Sequence, residues 1–372
     1  MQFIDLKKQQ SRIREKIEDG IKNVLDHGRY IMGPEITELE KKLADFAGTK
    51  HCVACSSGTD ALLMPLLAWN IGPGDAVFTS PFTFIATAEV ISLVGATPVF
   101  VDIKKDTYNI DPGELEKQIQ RVEKEGKLRP KLIIPVDIFG LLADYDKIEN
   151  IADKHDLLIL EDAAQSFGAS YNGKKAGSYG KAAATSFFPA KPLGCYGDGG
   201  AVLTDDDELK DLLHSVRVHG QGENKYKNVR IGINGRIDSI QAAVLLAKLT
   251  IFEEEIAKRN EAARKYSSSL KDMLTVPHIP EGNISAWAQY SVLAEDSGHR
   301  DQLMEKLNDN DIPTAIYYPI PLHLQEAFSE LGYKKGDMPV SEEIGERIFS
   351  LPMHPYLEDE EIEKIATVIR NA

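Results

Sequence analysis

Over the first 250 positions, short apolar runs recur between amphipathic stretches. Residues 51–55, 75–79, 97–102, 131–137 and 157–162 read as strands, with helical stretches between them. Leu157-Leu158-Ile159-Leu160 is apolar throughout rather than alternating, as in a strand buried on both faces of a helix-covered parallel sheet. Asp111-Pro112-Gly113-Glu114 predicts a helix start, with an N-cap, a first-turn proline and a capping-box acid. Near Ile237 the rhythm changes. Residues 237–270 predict one long helix, apolar along 241–246. Beyond it, proline is more frequent and strands are shorter and alternating, as in Tyr290-Ser291-Val292-Leu293. The pattern predicts an α/β protein with a large domain over residues 1–250 and a smaller one over 251–372.

Composition narrows the class. The chain has 372 residues, 42% of them hydrophobic, enough for a substantial core and too long for one simple domain. No run approaches the roughly 18 apolar residues of a membrane span. The start, Met1-Gln2-Phe3-Ile4-Asp5-Leu6, carries no apolar signal core. Three cysteines, an odd number, suit a reducing compartment. The expectation is a cytoplasmic protein without membrane contact. A net charge of -15 argues against a nucleic-acid partner but leaves room for a local basic pocket.

Four segments bear chemistry. Asp162 ends a strand candidate, where open parallel sheets bind ligands; it suits either a helix N-cap or an acid facing a cationic ligand atom. Lys191 follows Ser186-Phe187-Phe188-Pro189-Ala190 and precedes Gly194, Gly197, Gly199 and Gly200. A lysine in such an apolar, glycine-rich setting is either a loop-edge cation or a desolvated nucleophile toward carbonyls. Ser56-Ser57-Gly58-Thr59-Asp60 joins a strand to a helix, where free amides suit a phosphate. Asn234 and Arg236 precede the long helix.

Together these segments resemble the DegT/DnrJ/StrS family of nucleotide-sugar aminotransferases, from Phe3-Ile4-Asp5-Leu6 to Leu351-Pro352-Met353-His354-Pro355. Residues 185–201 and 252–256 are particularly similar to members that aminate C3 of UDP-2-acetamido-2-deoxy-3-oxo-glucuronate. The resemblance implies the aspartate-aminotransferase-like fold (fold type I), with a mixed, mostly parallel sheet covered by helices and a smaller C-terminal α+β domain. It implies a pyridoxal 5'-phosphate (PLP) enzyme that moves the amino group of glutamate to a keto sugar for cell-surface polysaccharide, such as the O-antigen of lipopolysaccharide. Lys191 would tether PLP and Asp162 would pair with its pyridine nitrogen. Gln165 would bond the ring oxygen, and Phe84 would cover a ring face unless it packs in the core. Gly58, Thr59 and Ser186 would hold the phosphate, with Asn234 reaching it from a partner subunit, so that a homodimer shares its active sites. Arg236 would grip a carboxylate. His219, Arg217 and Arg230 form a basic segment able to face a diphosphate, or a solvated surface run. Tyr317, Tyr318 and His323 match a C-terminal signature for the sugar, with Tyr317 standing where some relatives carry His.

Other motifs are set aside. Gly168 to Lys175 nearly spells a P-loop, but Lys175 replaces the magnesium-binding Ser or Thr, and Asn172-Gly173 reads as a hairpin turn. Cys52 and Cys55 have redox spacing, yet no second pair completes a metal site and they point to opposite faces of a strand; no metal is expected. Sugar dehydratases of the same family replace the lysine with histidine, and a non-catalytic regulator would need no Lys191, so both rivals are disfavoured.

Overall fold

The computed structural model describes residues 1–372. Seven strands form the main sheet: β1 (His51–Cys55), β2 (Asp75–Thr79), β3 (Thr97–Phe100), β4 (Arg129–Ile134), β5 (Leu158–Asp162), β8 (Ala182–Ser186) and β9 (Gly200–Thr204). Their spatial order is β1-β9-β8-β5-β4-β2-β3. Neighbours from β8 to β3 pair in parallel, whereas β9 runs antiparallel to both β8 and β1. The sheet is therefore mixed and mostly parallel. The apolar runs are strands because both faces are covered. Along β1, Cys52 and Ala54 enter one apolar layer and Val53 and Cys55 the other. β4, β5 and β9 divide the same way, as Ile133 and Leu132, Ile159 and Leu160, and Leu203 and Val202 illustrate. The two cysteines are separate core residues on opposite faces, and burial pushes both thiols up.

Helices α1 (Leu6–His27), α2 (Pro34–Ala47), α3 (Gly58–Ala68), α4 (Ala86–Leu93), α5 (Pro112–Glu125), α6 (Tyr145–His155) and α7 (Asp207–Val216) fill the connections of this part. Asp111 caps α5 through the amides of Gly113 and Glu114, at 2.7 and 3.2 Å. The expected capping box is absent: the Glu114 carboxylate accepts from Lys117 instead, at 2.7 Å. The single helix expected over residues 237–270 is two, α8 (Ser239–Leu249) and α9 (Phe252–Leu270). Thr250 returns its hydroxyl to the Ala247 carbonyl (2.7 Å), and Ile251 takes non-helical φ/ψ of -123° and 0°. Asn172-Gly173 is the hairpin turn between β6 (Ser170–Tyr171) and β7 (Lys174–Lys175), with positive φ at both residues.

The C-terminal part has its own apolar cluster, from Ala262 to Ile369. It contains α10 (Ser297–Asp309), α11 (Pro339–Arg347), α12 (Asp359–Arg370) and an antiparallel pair, β11 (Tyr290–Leu293) with β12 (Ile348–Leu351). A short β10 (Asn283–Ile284) pairs with β6. β11 is buried along its whole length, so it does not alternate between core and water. α9 serves both parts: Phe252 and Ile256 pack with the main sheet, Ala262, Ala263 and Tyr266 with the C-terminal cluster. No helix is long and apolar enough to cross a membrane.

Candidate active site

The carboxyl ends of β1, β5 and β8 converge on one edge of the sheet, and each delivers a polar side chain or helix start there. After β1, Ser57 caps α3 and its hydroxyl accepts from the Asp60 amide at 3.0 Å. Gly58 and Thr59 open the helix, so their N–H groups have no carbonyl one turn back. Ser186 ends β8 against them: a Cβ on Gly58 would lie 2.6 Å from Ser186 Cβ and 2.9 Å from its Oγ. Gly200 closes the third side, where a Cβ would stand 2.3 Å from the Ser57 carbonyl oxygen. Only glycine fits at either position, and the result is two free amides beside a hydroxyl at a helix N-terminus, an anion cradle.

Asp162 ends β5 and is 3% exposed. Its Oδ2 accepts from Thr87 Oγ1 at 2.8 Å and its Oδ1 from the Ala164 amide at 3.2 Å. Burial raises its pKa, partly offset by these bonds and by Lys191. Lys191 sits in the β8–β9 loop. Gly194 lets that loop close on itself, because a Cβ there would meet the Pro189 and Phe188 carbonyl oxygens at 2.5 and 2.6 Å. As a residue Lys191 is intermediate in exposure, but its surroundings desolvate the ammonium and lower its pKa, against the pull of Asp162. A lysine held toward its neutral form, an acid held in place and an anion cradle on one sheet edge suit carbonyl chemistry on an anionic cofactor.

Comparison with known proteins agrees. The DegT/DnrJ/EryC1/StrS aminotransferase family is matched over residues 11–370. The chain belongs to this family. It is 49% identical over 372 residues, the whole of both chains, to the UDP-2-acetamido-2-deoxy-3-oxo-D-glucuronate aminotransferase of Pseudomonas aeruginosa. A crystal structure of a DegT DnrJ EryC1 StrS aminotransferase from Brucella abortus superposes with a TM-score of 0.97 at 54% identity, covering 100% of this chain and 99% of that one. The PLP-form of the sugar aminotransferase Spr1654 from Streptococcus pneumoniae, 28% identical, gives 0.88 over 96% of each chain. The chain is a PLP-dependent sugar aminotransferase of fold type I.

The residues fit that cofactor. The cradle that a Cβ would fill would hold the phosphate, Asp162 would offer a buried acid to the ring nitrogen, and Lys191 an amine without a hydrogen bond of its own. Gln165 is 4% exposed; its Oε1 accepts from the Phe139 amide at 2.6 Å and its Nε2 donates to the Tyr318 hydroxyl at 3.2 Å. Phe84 is 56% exposed, which removes core packing as its role.

Elsewhere the aminotransferase departs from expectation. Arg217 is a buried structural arginine, 1% exposed, whose Nη1 donates to Glu40 Oε1 (2.5 Å) and the Ala54 carbonyl (2.7 Å); it does not face a diphosphate. His323, expected at the sugar, is 2% exposed and bonded through Nε2 to Glu342 Oε1 at 2.9 Å, where it ties a 3-10 turn to α11. His219 and Arg230 are exposed on the loop after α7, and Arg230 bonds the Ser215 hydroxyl. Asn234 Oδ1 accepts from Arg236 Nε and Nη2 at 3.0 and 2.6 Å, so the two form one exposed unit. Tyr317 packs its ring near Phe3, 6.4 Å between centroids. Thr87 was missed: no motif contains it, and Thr83, its hydroxyl neighbour, lies in the bend that precedes α4. The buried acids Asp137 and Glu161 behind the site were missed as well.

Proposed function

We propose that this enzyme transfers the amino group of glutamate to C3 of a UDP-2-acetamido-2-deoxy-3-oxo-glucuronate-like sugar, in the cytoplasm, for cell-surface polysaccharide such as lipopolysaccharide O-antigen. The juxtaposition of Lys191, Asp162 and the Gly58–Ser186 cradle carries the chemistry; the full-length likeness to the Pseudomonas aeruginosa enzyme supports the substrate. When bound, PLP supplies an electron sink for a carbanion at the donor's alpha carbon. Gly58, Thr59 and Ser186 hold its phosphate. Asp162 would keep a proton on the ring nitrogen, and the Gln165 amide, fixed by the Phe139 amide, would bond the ring oxygen. Phe84, free of the core, covers the ring. Lys191 would tether the cofactor at rest; when free, its amine would carry the proton from the donor's alpha carbon to the cofactor carbon, and in the second half-reaction from that carbon to C3 of the sugar. Desolvation of Lys191 favours the neutral amine that both steps need.

The active site is completed in a homodimer, with Asn234 and Arg236 of one subunit reaching the cofactor phosphate and a carboxylate in the other. Symmetric dimers are the commonest oligomers, and this loop carries large exposed apolar residues, Tyr226 and Ile231. A guanidinium grips a carboxylate in a bidentate fork, so Arg236 serves glutamate in one half-reaction and a uronate in the other. His219, Arg230, Tyr317 and Tyr318 are the further substrate contacts, and the chain divides near residue 250 into a cofactor domain and a smaller C-terminal one. Three unpaired cysteines support a reducing compartment. The test is single-turnover amination of a UDP-linked 3-keto uronate against the matching hexose. Preference for the uronate, lost in Arg236→Lys, is the expected result; equal rates on both sugars would overturn the substrate assignment.

A further inference from the structure

Thr87 stands in the first turn of α4 and is 1% exposed. A threonine in a helix ordinarily returns its hydroxyl to the carbonyl four residues back. Thr87 instead donates across to β5, to Asp162 Oδ2 at 2.8 Å. Its oxygen lies 3.1 Å from Thr83 Oγ1, itself 2% exposed. The carboxylate offers no proton in its working state, so the direction is set: Thr83 donates to Thr87 and Thr87 donates to Asp162. The Ala164 amide occupies the other carboxylate oxygen. With both oxygens held, the side chain has one orientation, and each oxygen keeps a further lone pair for the cofactor ring.

We propose that Thr87, backed by Thr83, is a positioning residue of this aminotransferase: a two-hydroxyl relay that fixes the Asp162 carboxylate and keeps it ionised against the ring nitrogen of PLP. The inference rests on the reading of Asp162 as the ring's partner. Burial pushes Asp162 toward its neutral form, and a neutral acid cannot hold a pyridinium; the Thr87 hydrogen bond works the other way. The titratable groups close enough to feel the charge of Asp162 are Lys191 from the β8–β9 loop, Tyr318 from the C-terminal part and Tyr145 at the start of α6, whose hydroxyl is bonded to Asp137. Of these only Lys191 brings a positive charge, so at neutral pH the relay and the Ala164 amide are what else the carboxylate has.

Titration of the apoenzyme with PLP, followed by protein fluorescence across pH, tests this. Thr87→Val keeps the volume and deletes the donor. It should weaken PLP binding about tenfold near neutral pH, the size of a lost hydrogen bond to a charged group. The acid limb of the binding curve should move to higher pH, while KM for glutamate changes less than kcat. Thr87→Ser should restore both, and Thr83→Val, which leaves the direct bond, should shift the limb the same way by less. Unchanged affinity and an unmoved acid limb in Thr87→Val would overturn the relay, as would a poorly folding Thr87→Val joined with a wild-type limb in Thr83→Val. Asp162→Asn separates the two claims. If it retains tight PLP and turnover, the reading of Asp162 fails; if it loses both while Thr87→Val behaves as wild type, only the relay fails.

Discussion

Lys191 is under opposing influences: desolvation disfavours its charge, and the nearby Asp162 carboxylate favours it. Desolvation is the larger effect and the net shift is downward. Lys191→Ala should leave a weak PLP complex held by the cradle, without the visible band of lysine-bound cofactor, and with kcat down by about a thousandfold or more, on the scale of losing the site's acid–base group. Absorbance and stopped-flow turnover check this; turnover near wild type would remove the residue from the mechanism. Asp137 makes a second residue-level prediction. It is fully buried, accepts from the Ala143 amide, the Tyr145 hydroxyl and the Ser166 hydroxyl, and faces Glu161. Burial pushes it up to about 7, and burial with Asp137 pushes Glu161 well up. A raised carboxyl means that the folded state binds the extra proton. Its contribution is complete below the unfolded value of roughly 4 and is lost as pH rises through about 7. Urea melts at pH 5 and pH 8 should show wild type losing more stability over that interval than Asp137→Asn; equal losses would contradict the shared proton. Among residues, the meeting of Lys191, Asp162 and Ser186 at one sheet edge was legible because each lies in a motif with its own local oddity. Thr87 was not, since its partner is distant in sequence. Arg217 and His323 read as surface contacts because nothing local reveals that Glu40 and Glu342 bury them.

At the level of elements, the cradle is an interlock of α3, β8 and β9, with glycine at both close approaches. Gly200→Ala would force a Cβ onto the Ser57 carbonyl oxygen, 2.3 Å away, and backbone must move. The expected cost is about 1–3 kcal/mol of stability, together with weaker PLP binding, because the Gly58 amide moves with Ser57. Thermal melts with and without PLP check it; an undisturbed melt and affinity would mean that β9 has slack. Five of the seven strands were legible because a strand covered on both faces is an uninterrupted apolar run; β8 and β9 were not read as strands. The reversal of β9 was not legible either, as its direction is set by pairing with β1 and β8 rather than by its own residues. The break between α8 and α9 was hidden because Leu245 and Leu249 before Thr250, and Phe252 and Ile256 after it, serve the same apolar layer.

At the scale of the whole molecule, the α/β class was legible from the order of apolar runs and the PLP chemistry from the resemblance to a family, whereas assembly is written in surfaces. Tyr226 is 88% and Ile231 85% exposed on the loop that carries Asn234 and Arg236. Burial of such residues in a partner is the expected outcome, and Ile231→Asp should weaken self-association about 30-fold, the effect of losing one hot spot. Sedimentation velocity across concentration reads this directly, with PLP retention falling alongside. A monomeric wild type with full activity would defeat the shared site.

The antiparallel β9 also dictates when the cofactor can first be captured. On the ribosome the α3 segment emerges early, but Ser186 and Gly200, which complete the cradle, are far downstream. At about 5–20 residues per second, the nascent chain spends several seconds with half a phosphate site and no lysine. The strand that seats Gly200 against Ser57 is the last of the seven in sequence, and it must slot between two strands made earlier. Cofactor loading therefore marks completion of the sheet. A chain stalled before residue 200 would release vitamin B6 rather than sequester it, and free PLP in the cell would act as a selective brace for finished molecules.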